Sequence, residues 1–442
     1  METLFRKFKD LLETSEVRKY TLNTSWMMGE KILAIALTMV TSIIVARYLG
    51  PEKFGILSYA ISLSSLFAIA THMGLSGLAV RELVNKPKET PELMGSIFGV
   101  KFIGAMIAFT GYLVFINLFS DKSSTEFWVL ILVSVTIFLK PFEVFDYWFQ
   151  AKVKAKYSSI VRSVSITAVS ILKIILVITS AGLLEIAATY VVQTVIVITL
   201  FTYFFIKKAD IQIRNWSFNI NKVKELLGEG WMLMLGAIFA MVYLKIDQIM
   251  LRWIVGADEV GIYSVAARIS EAWYFIPTII VSSIFPKLLE LKKENPEKFH
   301  RRLQQLFNFL FLIALGLAIL ISFISTPLIE TLYGLEYQKA AIILSIHIWA
   351  GVFIFMRAAF SKWVLVEDAV AFSLITQGLG ALVNIILNII LIPYFQGFGA
   401  AVATICSYSM ASYIALLFYK KSRPVFWMMT KAIFSPFLIL KK

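Results

Sequence analysis

The sequence is short of the residues on which metal centres, disulfide frameworks and soluble surfaces depend. Cys406 is the only cysteine, which excludes an internal disulfide and a cysteine metal cluster. Histidine occurs three times; His72 and His347 stand alone in apolar runs and are read as hydrogen-bonded packing residues. No metal site and no cofactor is expected. Charged residues make up 16% of the chain while hydrophobic ones make up 59%, and a soluble domain carries about one quarter charged residues. A water-soluble fold could not hide that much apolar surface. The phosphate loop G-x-x-x-x-G-K-[ST] is absent, so the chain does not drive work with an ATPase of its own.

What is present is long apolar runs. They fall at about 22–47, 54–79, 94–119, 126–150, 157–181, 184–206, 229–254, 260–286, 303–325, 338–361, 369–393 and 397–419. Each is long enough to cross a bilayer as a helix, which takes about 20 residues. The first twenty residues, with Arg6, Lys7, Lys9, Asp10, Glu13, Glu16, Arg18 and Lys19, are too charged for a cleaved signal peptide and read as a retained cytoplasmic segment. Placing that segment inside makes the loops alternate in charge. Arg81, Lys86 and Lys88, then Lys152, Lys154 and Lys156, then Lys207, Lys208, Arg214, Lys222 and Lys224, and finally Lys287 to Arg302 lie on the inner side. The outer loops hold little beyond Lys53 and Lys122. This asymmetry sets a cytoplasmic N-terminus in a plasma membrane and accounts for the net charge of +14 without nucleic acid as a partner. The tail after Tyr419 is apolar but short, interrupted by Lys431 and Pro436, and reads as interfacial.

An internal repeat organises the runs. Gly50-Pro-Glu-Lys-Phe-Gly-Ile-Leu-Ser-Tyr-Ala60 aligns without a gap on Gly256-Ala-Asp-Glu-Val-Gly-Ile-Tyr-Ser-Val-Ala266. Six runs separate the copies, so both loops face outward and the halves are parallel repeats. The expected fold is an all-α integral membrane protein of about twelve transmembrane helices, in two pseudo-symmetric six-helix bundles around a central cleft. The expected divisions are a cytoplasmic segment 1–21, a bundle 22–206, a linker 207–228, a bundle 229–419 and a tail 420–442.

At these residues the chain resembles the Wzx-type polysaccharide flippases of the multidrug/oligosaccharidyl-lipid/polysaccharide superfamily. The matching segments are ARYLGPEKFGILSYA (46–60), MGLSGLAVREL (73–83), FDYWFQAKVKAKY (145–157), YLKIDQIMLRWIVGADEVGIYSVAARISE (243–271), LYGLEYQKAAIILSI (332–346) and FGAAVAT (398–404). The resemblance implies a carrier, not an enzyme, that moves an undecaprenyl-diphosphate-linked oligosaccharide between leaflets of the bacterial plasma membrane. It would work among membrane lipids and alongside polymerase and glycosyltransferase partners. A multidrug exporter and a lipid II flippase are the alternative readings. Every outer loop looks too short for a membrane glycosyltransferase or ligase.

Ionisable residues inside the runs are functional candidates, because a charge in hydrocarbon costs several kcal/mol without a partner or a polar cavity. Lys31, Lys173, Lys245, Arg268, Glu271 and Arg357 are the candidates for contacting the substrate, since cations suit a diphosphate. Asp247 and Glu30 are the candidates for ion coupling, with Arg268 as an alternative partner for Asp247. Arg268 and Glu271 share a helix face, where they either pair or line a cavity; Lys140 and Glu143 read as a local pair. Arg47, Lys101, Arg162 and Arg252 lie near run ends and are expected to snorkel. Asn384 and Asn388 share a face and meet either sugar hydroxyls or a neighbouring helix. Pro277 is expected to kink its helix. Trp26, Trp128, Trp148 and Trp253 are assigned to aromatic belts.

Overall fold

Hydrocarbon offers no hydrogen bonds to the backbone, so an apolar run of this length satisfies its peptide groups as a helix. The computed structural model describes residues Ser15–His72 and Gly74–Ile439, and every regular element among them is helical. Residues 1–14, Met73 and 440–442 lie outside the described residues, as does the side chain of His72; most of the expected N-terminal segment falls there. The helices are α1 (Ser15–His72), α2 (Leu75–Asn85), α3 (Thr90–Phe119), α4 (Thr125–Leu139), α5 (Val144–Ala151), α6 (Ala155–Ile178), α7 (Leu183–Lys208) and α8 (Ile220–Ile254). They continue as α9 (Ala257–Glu271), α10 (Phe275–Glu294), α11 (Pro296–Tyr333), α12 (Lys339–His347), α13 (Ala350–Val366), α14 (Val370–Ser412) and α15 (Arg423–Ile439).

Among the described residues ten helical runs are long and apolar enough to cross a membrane, and two are too long for one crossing: Leu22–Asn85 has 64 residues and Val370–Leu417 has 48. At about 1.5 Å per residue these would reach roughly 95 and 70 Å if straight, well beyond a hydrocarbon core of about 30 Å. Both are broken. Gly50 takes φ 72° in the first and Gln396 takes φ 50° in the second. The two breaks turn ten runs into twelve crossings, close to the boundaries the hydropathy pattern sets.

By their contacts the residues group into two units. Among the described residues, one comprises those up to Ser42 with those from Ala70 to Trp231, and the other Ile43–Ile69 with those from Met232 onward. In the first unit, α6 packs on α7, α7 on α4, and α4 on α3. Its core gathers Leu75, Ile97, Trp148, Phe149, Val161 and Phe205. Trp148 therefore belongs to the interior and not to an aromatic belt: it is 1% exposed and wedged edge-on against Phe149 and Phe205. The linker is strapped onto this unit. Trp216 lies among Phe98, Phe145 and Phe205, and Ser217 passes so close to Gly95 that a methyl group there would sit 2.4 Å from its carbonyl oxygen. Lys86 is held above the usual ammonium range by its hydrogen bond to Glu225 and then by Glu82.

In the second unit α11 is the hub, packed against α10, α12, α13 and α15. The tail helix α15 does not simply lie at an interface. Val425, Met429 and Ala432, spaced for one helix face, are buried in the same core as Phe307, Leu310 and Phe360, and the Met428 carbonyl accepts a hydrogen bond from Gln304 Nε2 at 2.8 Å. The kink at Pro277 takes the form of an interruption: the chain leaves α9 at Glu271 and resumes at Phe275, bridged by turn bonds from Tyr274 N to the Glu271 carbonyl and from Ile276 N to the Trp273 carbonyl.

The segment Ile43–Ile69 contains the first copy of the repeat, and it packs on the second copy with reciprocal geometry. A methyl group on Gly55 would sit 1.7 Å from the Ala257 carbonyl oxygen, and one on Gly261 would sit 2.0 Å from the Pro51 carbonyl oxygen. In the alignment Pro51 corresponds to Ala257 and Gly55 to Gly261, so each partner makes the contact its counterpart makes. The leading glycines Gly50 and Gly256 both take positive φ, 72° and 137°. Around this contact Phe54 is buried edge-on against Tyr337, and the Tyr337 hydroxyl donates to the Ala46 carbonyl at 2.8 Å.

Candidate functional site

The second unit contains a polar seam within its apolar helices. Asp247 on α8 is 2% exposed, and both of its carboxylate oxygens are taken by neutral donors. The Tyr263 hydroxyl of α9 and the Thr404 hydroxyl of α14 each donate to Oδ2 at 2.6 Å, and Asn388 Nδ2 donates to Oδ1 at 2.6 Å. Asn384 Oδ1 accepts from the same Asn388 amide at 3.2 Å. The ring of His347, at the end of α12, stands edge-on to Tyr263 with centroids 5.8 Å apart. Three buried polar atoms here lack a partner among the described residues: Asn388 Oδ1, Asn384 Nδ2 and His347 Nδ1. A buried carboxylate without a cation is costly unless hydrogen bonds compensate it, and this one has three.

The seam runs on to a cation. On α14, Thr376, Gly380, Asn384 and Asn388 recur every fourth residue, so they share one face over about 18 Å. The second arm of α14 returns along it, with the Ser407 hydroxyl donating to the Gly380 carbonyl at 2.8 Å. At the far end Arg357 of α13 spreads its guanidinium over the Thr376 hydroxyl at 3.0 Å, the Ser373 hydroxyl at 3.1 Å and the Ala411 carbonyl at 2.7 Å. Its charged carbon lies 5.0 Å from the centre of the Phe360 ring. All these partners are neutral, so the positive charge at Arg357 is solvated but not cancelled.

The remaining predicted residues fall as follows. In the second unit Lys245 lies 3.8 Å from Glu271, both about one quarter exposed, so Glu271 gains a partner from α8. Arg268 stacks its guanidinium 4.9 Å above the Phe54 ring. Arg47, expected to snorkel, reaches the Thr331 carbonyl at 3.2 Å. In the first unit Glu30 interacts electrostatically with Arg162, Lys31 and Asp146; Lys31 itself is exposed. Lys173 is 9% exposed and lies 4.1 Å from the centre of the Tyr190 ring. The structure thus gathers Lys245, Asp247, Arg268, Glu271 and Arg357 into one unit and Glu30, Lys31 and Lys173 into the other.

Two expectations are corrected. Lys101 does not snorkel: it is fully buried, 3.2 Å from Glu143 and 3.0 Å from the Tyr147 hydroxyl, and Glu143 also binds Lys140 at 2.9 Å. Arg162 does not simply reach for headgroups, because its guanidinium is 2.5 Å from Asp146, which also accepts from Gln150 at 2.8 Å. In both cases a carboxylate from α5 or the turn before it offers the cation more than the headgroups do. Sequence reasoning did not single out Tyr263, Thr404, Thr376 or Ser373. Asn384 and Asn388 were legible as a pair, and their partner is Asp247 of a neighbouring helix. Among the described residues no three His, Cys, Asp or Glu side chains form a metal-holding group.

Comparison with known proteins agrees with this architecture. The family model described as Polysaccharide biosynthesis protein matches residues 21–292, and the model named MatE matches residues 233–390. The "Probable flippase AglR" of Haloferax volcanii is 24% identical over 403 residues, covering 88% of this chain and 81% of that protein. The solved structure titled "Lipid II flippase MurJ, inward closed conformation" superposes with a TM-score of 0.68 at 18% identity, covering 95% of this chain and 92% of the other. An inward-facing multidrug resistance MATE family transporter of the MOP superfamily superposes with a TM-score of 0.66 at 16% identity, covering 91% and 99%.

Proposed function

Because the chain belongs to the polysaccharide biosynthesis protein family, we propose that it is a flippase for a polyprenyl-diphosphate-linked oligosaccharide in a bacterial plasma membrane, with its N-terminus in the cytoplasm. The observation that carries the reading is the uncancelled positive charge at Arg357. A diphosphate headgroup needs cations along its route, and an arginine whose partners are hydroxyls and a carbonyl can exchange one of them for a phosphate oxygen. Lys245, Arg268, Lys31 and Lys173 supply further positive charge inside the membrane helices, while the prenyl chain stays in lipid.

Asp247 is the coupling site in this reading. One carboxylate with neutral oxygens around it suits a proton or a monovalent cation. Asp247, Thr404 and Tyr263 would hold such an ion, together with the Asn388 carbonyl oxygen that is buried without a partner. Binding there neutralises the acid and weakens its hold on the donors from α9 and α14. Because α14 carries partners of both Asp247 and Arg357, a change at one end of the seam shifts the groups that solvate the other. Access then alternates between the two membrane faces, with the ion gradient setting the direction.

The test replaces Arg357 with Gln in a strain that depends on this protein, with insertion confirmed by an immunoblot of membranes. Lipid-linked repeat units should accumulate on the cytoplasmic leaflet and surface glycan should fall at least tenfold. Undiminished export would sink the proposal. The match of the MatE model to the half that holds Asp247 favours drug export as the second reading; loss of resistance to cationic drugs with unchanged glycan would select it.

A further inference from the structure

A cavity of about 940 Å³ opens between the end of α10 and the start of α11, in the loop that carries the densest positive charge of the chain. Lys287, Lys298, Arg301 and Arg302 line it, against a single acid, Glu294. Lys287 is paired with Glu290 at 2.7 Å and Arg302 donates to Gln305 at 2.9 Å. Lys298 and Arg301 have no carboxylate within ion-pairing distance among the described residues. Positive loops on this side of a membrane need no ligand, but four cations converging on a hollow with an apolar wall are a different arrangement. Ile284, Leu306 and Phe309 form that wall.

We propose that this cavity holds the headgroup of an anionic glycerophospholipid from the leaflet on the N-terminal side. The apolar wall does not end at the cavity. Phe309, Leu312, Ile319 and Leu320 are exposed along α11 at helical spacing, a stripe of about 17 Å from Phe309 to Leu320. One leaflet of hydrocarbon is about 15 Å deep, half of a 30 Å core. A phosphate at the cations with acyl chains along the stripe fills both features. A soluble phosphate would leave the stripe bare, and a long polyprenyl chain would outrun it. Basic pockets between membrane helices are suited to anionic headgroups, because each lysine or arginine near the surface adds to the attraction. The site is independent of the transported substrate and needs no movement of the helices.

The experiment uses the full chain purified in detergent and stripped of lipid, titrated with phosphatidylglycerol or phosphatidylcholine. Retained lipid is counted by native mass spectrometry and the unfolding temperature is followed in parallel. Wild type should retain phosphatidylglycerol saturably and melt at a higher temperature, with no such response to phosphatidylcholine. The double variant Lys298→Gln/Arg301→Gln should bind phosphatidylglycerol at least tenfold more weakly, whereas Lys298→Arg/Arg301→Lys, which keeps the charge, should bind as wild type does. Equal retention by the glutamine variant, or equal retention of phosphatidylcholine, overturns the proposal. So does displacement of phosphatidylglycerol by inorganic pyrophosphate at matching concentration, which would make the acyl stripe irrelevant, or by tenfold less undecaprenyl diphosphate, which would give the cavity to the transported lipid.

Discussion

Asp247 and Arg357 define what single residues contribute here. Each is an ionic group surrounded by neutral hydrogen-bonding partners, and the proposed reading assigns the Asp247 charge to a mobile ion and the Arg357 charge to the substrate. Replacing Asp247 with Asn removes the charge and keeps the size. Flux through the Asp247→Asn variant should lose its dependence on the coupling gradient, read as equal rates with and without an imposed proton or sodium gradient in proteoliposomes. A gradient dependence like that of wild type would remove Asp247 from the coupling role. Thr404→Val tests the cradle separately. It deletes one of two donors on Oδ2 and should destabilise the second unit by about 1–3 kcal/mol, the cost of leaving a buried acceptor short of a donor, measured by thermal unfolding. The acid itself was legible from the sequence, since a lone carboxylate in an apolar run stands out. Tyr263 and Thr404 were not, because hydroxyls are common in membrane helices and only the fold brings these two onto Asp247.

At the scale of elements, the repeat did more than mark two similar turns. Gly50 and Gly256 start each copy with a backbone conformation that a side chain resists, and Gly55 and Gly261 let the two copies touch through their backbones. The spacing of four between Pro51 and Gly55, and between Ala257 and Gly261, puts the touching residues of each copy on one helix face. Gly55→Val and Gly261→Val should have matching effects, each costing about 1–3 kcal/mol from overpacking. The pair together should cost less than the sum, because the first substitution already parts the helices that the second would clash against. Thermal unfolding of the three variants checks this, and full additivity would mean that the contacts are independent. The tail shows the limit of sequence reading at this scale. Its length and its interruptions by Lys431 and Pro436 suggested a surface helix, yet Val425, Met429 and Ala432 form a face that has meaning only once α11 is there to receive it. Lys101 failed in the same way. Its carboxylate partner, Glu143, is 42 residues away in sequence, and no periodicity reports such a distance.

At the scale of the whole molecule, the dominant physical fact is the separation of charge from hydrocarbon. Twelve crossings were countable from hydropathy alone because every span must satisfy its own backbone, and the collection of cations in alternate loops is the basis for the side proposed for each. Which span packs on which was not readable, since apolar faces in a bilayer carry no contrast between lipid and protein. In the proposed reading the densest basic loop, Lys287 to Arg302, faces the cytoplasmic leaflet, where the lipid-linked substrate would be loaded. Single cysteines placed in a Cys406→Ser background test this directly. A membrane-impermeant maleimide should reach Lys122→Cys in intact cells, while Lys208→Cys and Lys293→Cys should react only after the membrane is opened. The inverse pattern would place the basic loops outside and overturn the cytoplasmic N-terminus of the proposed reading. Labelling of both sets from outside would mean that an even number of crossings separates Lys122 from Lys208, against the three runs Thr125–Ala151, Ala155–Ile178 and Leu183–Lys208 that lie between them.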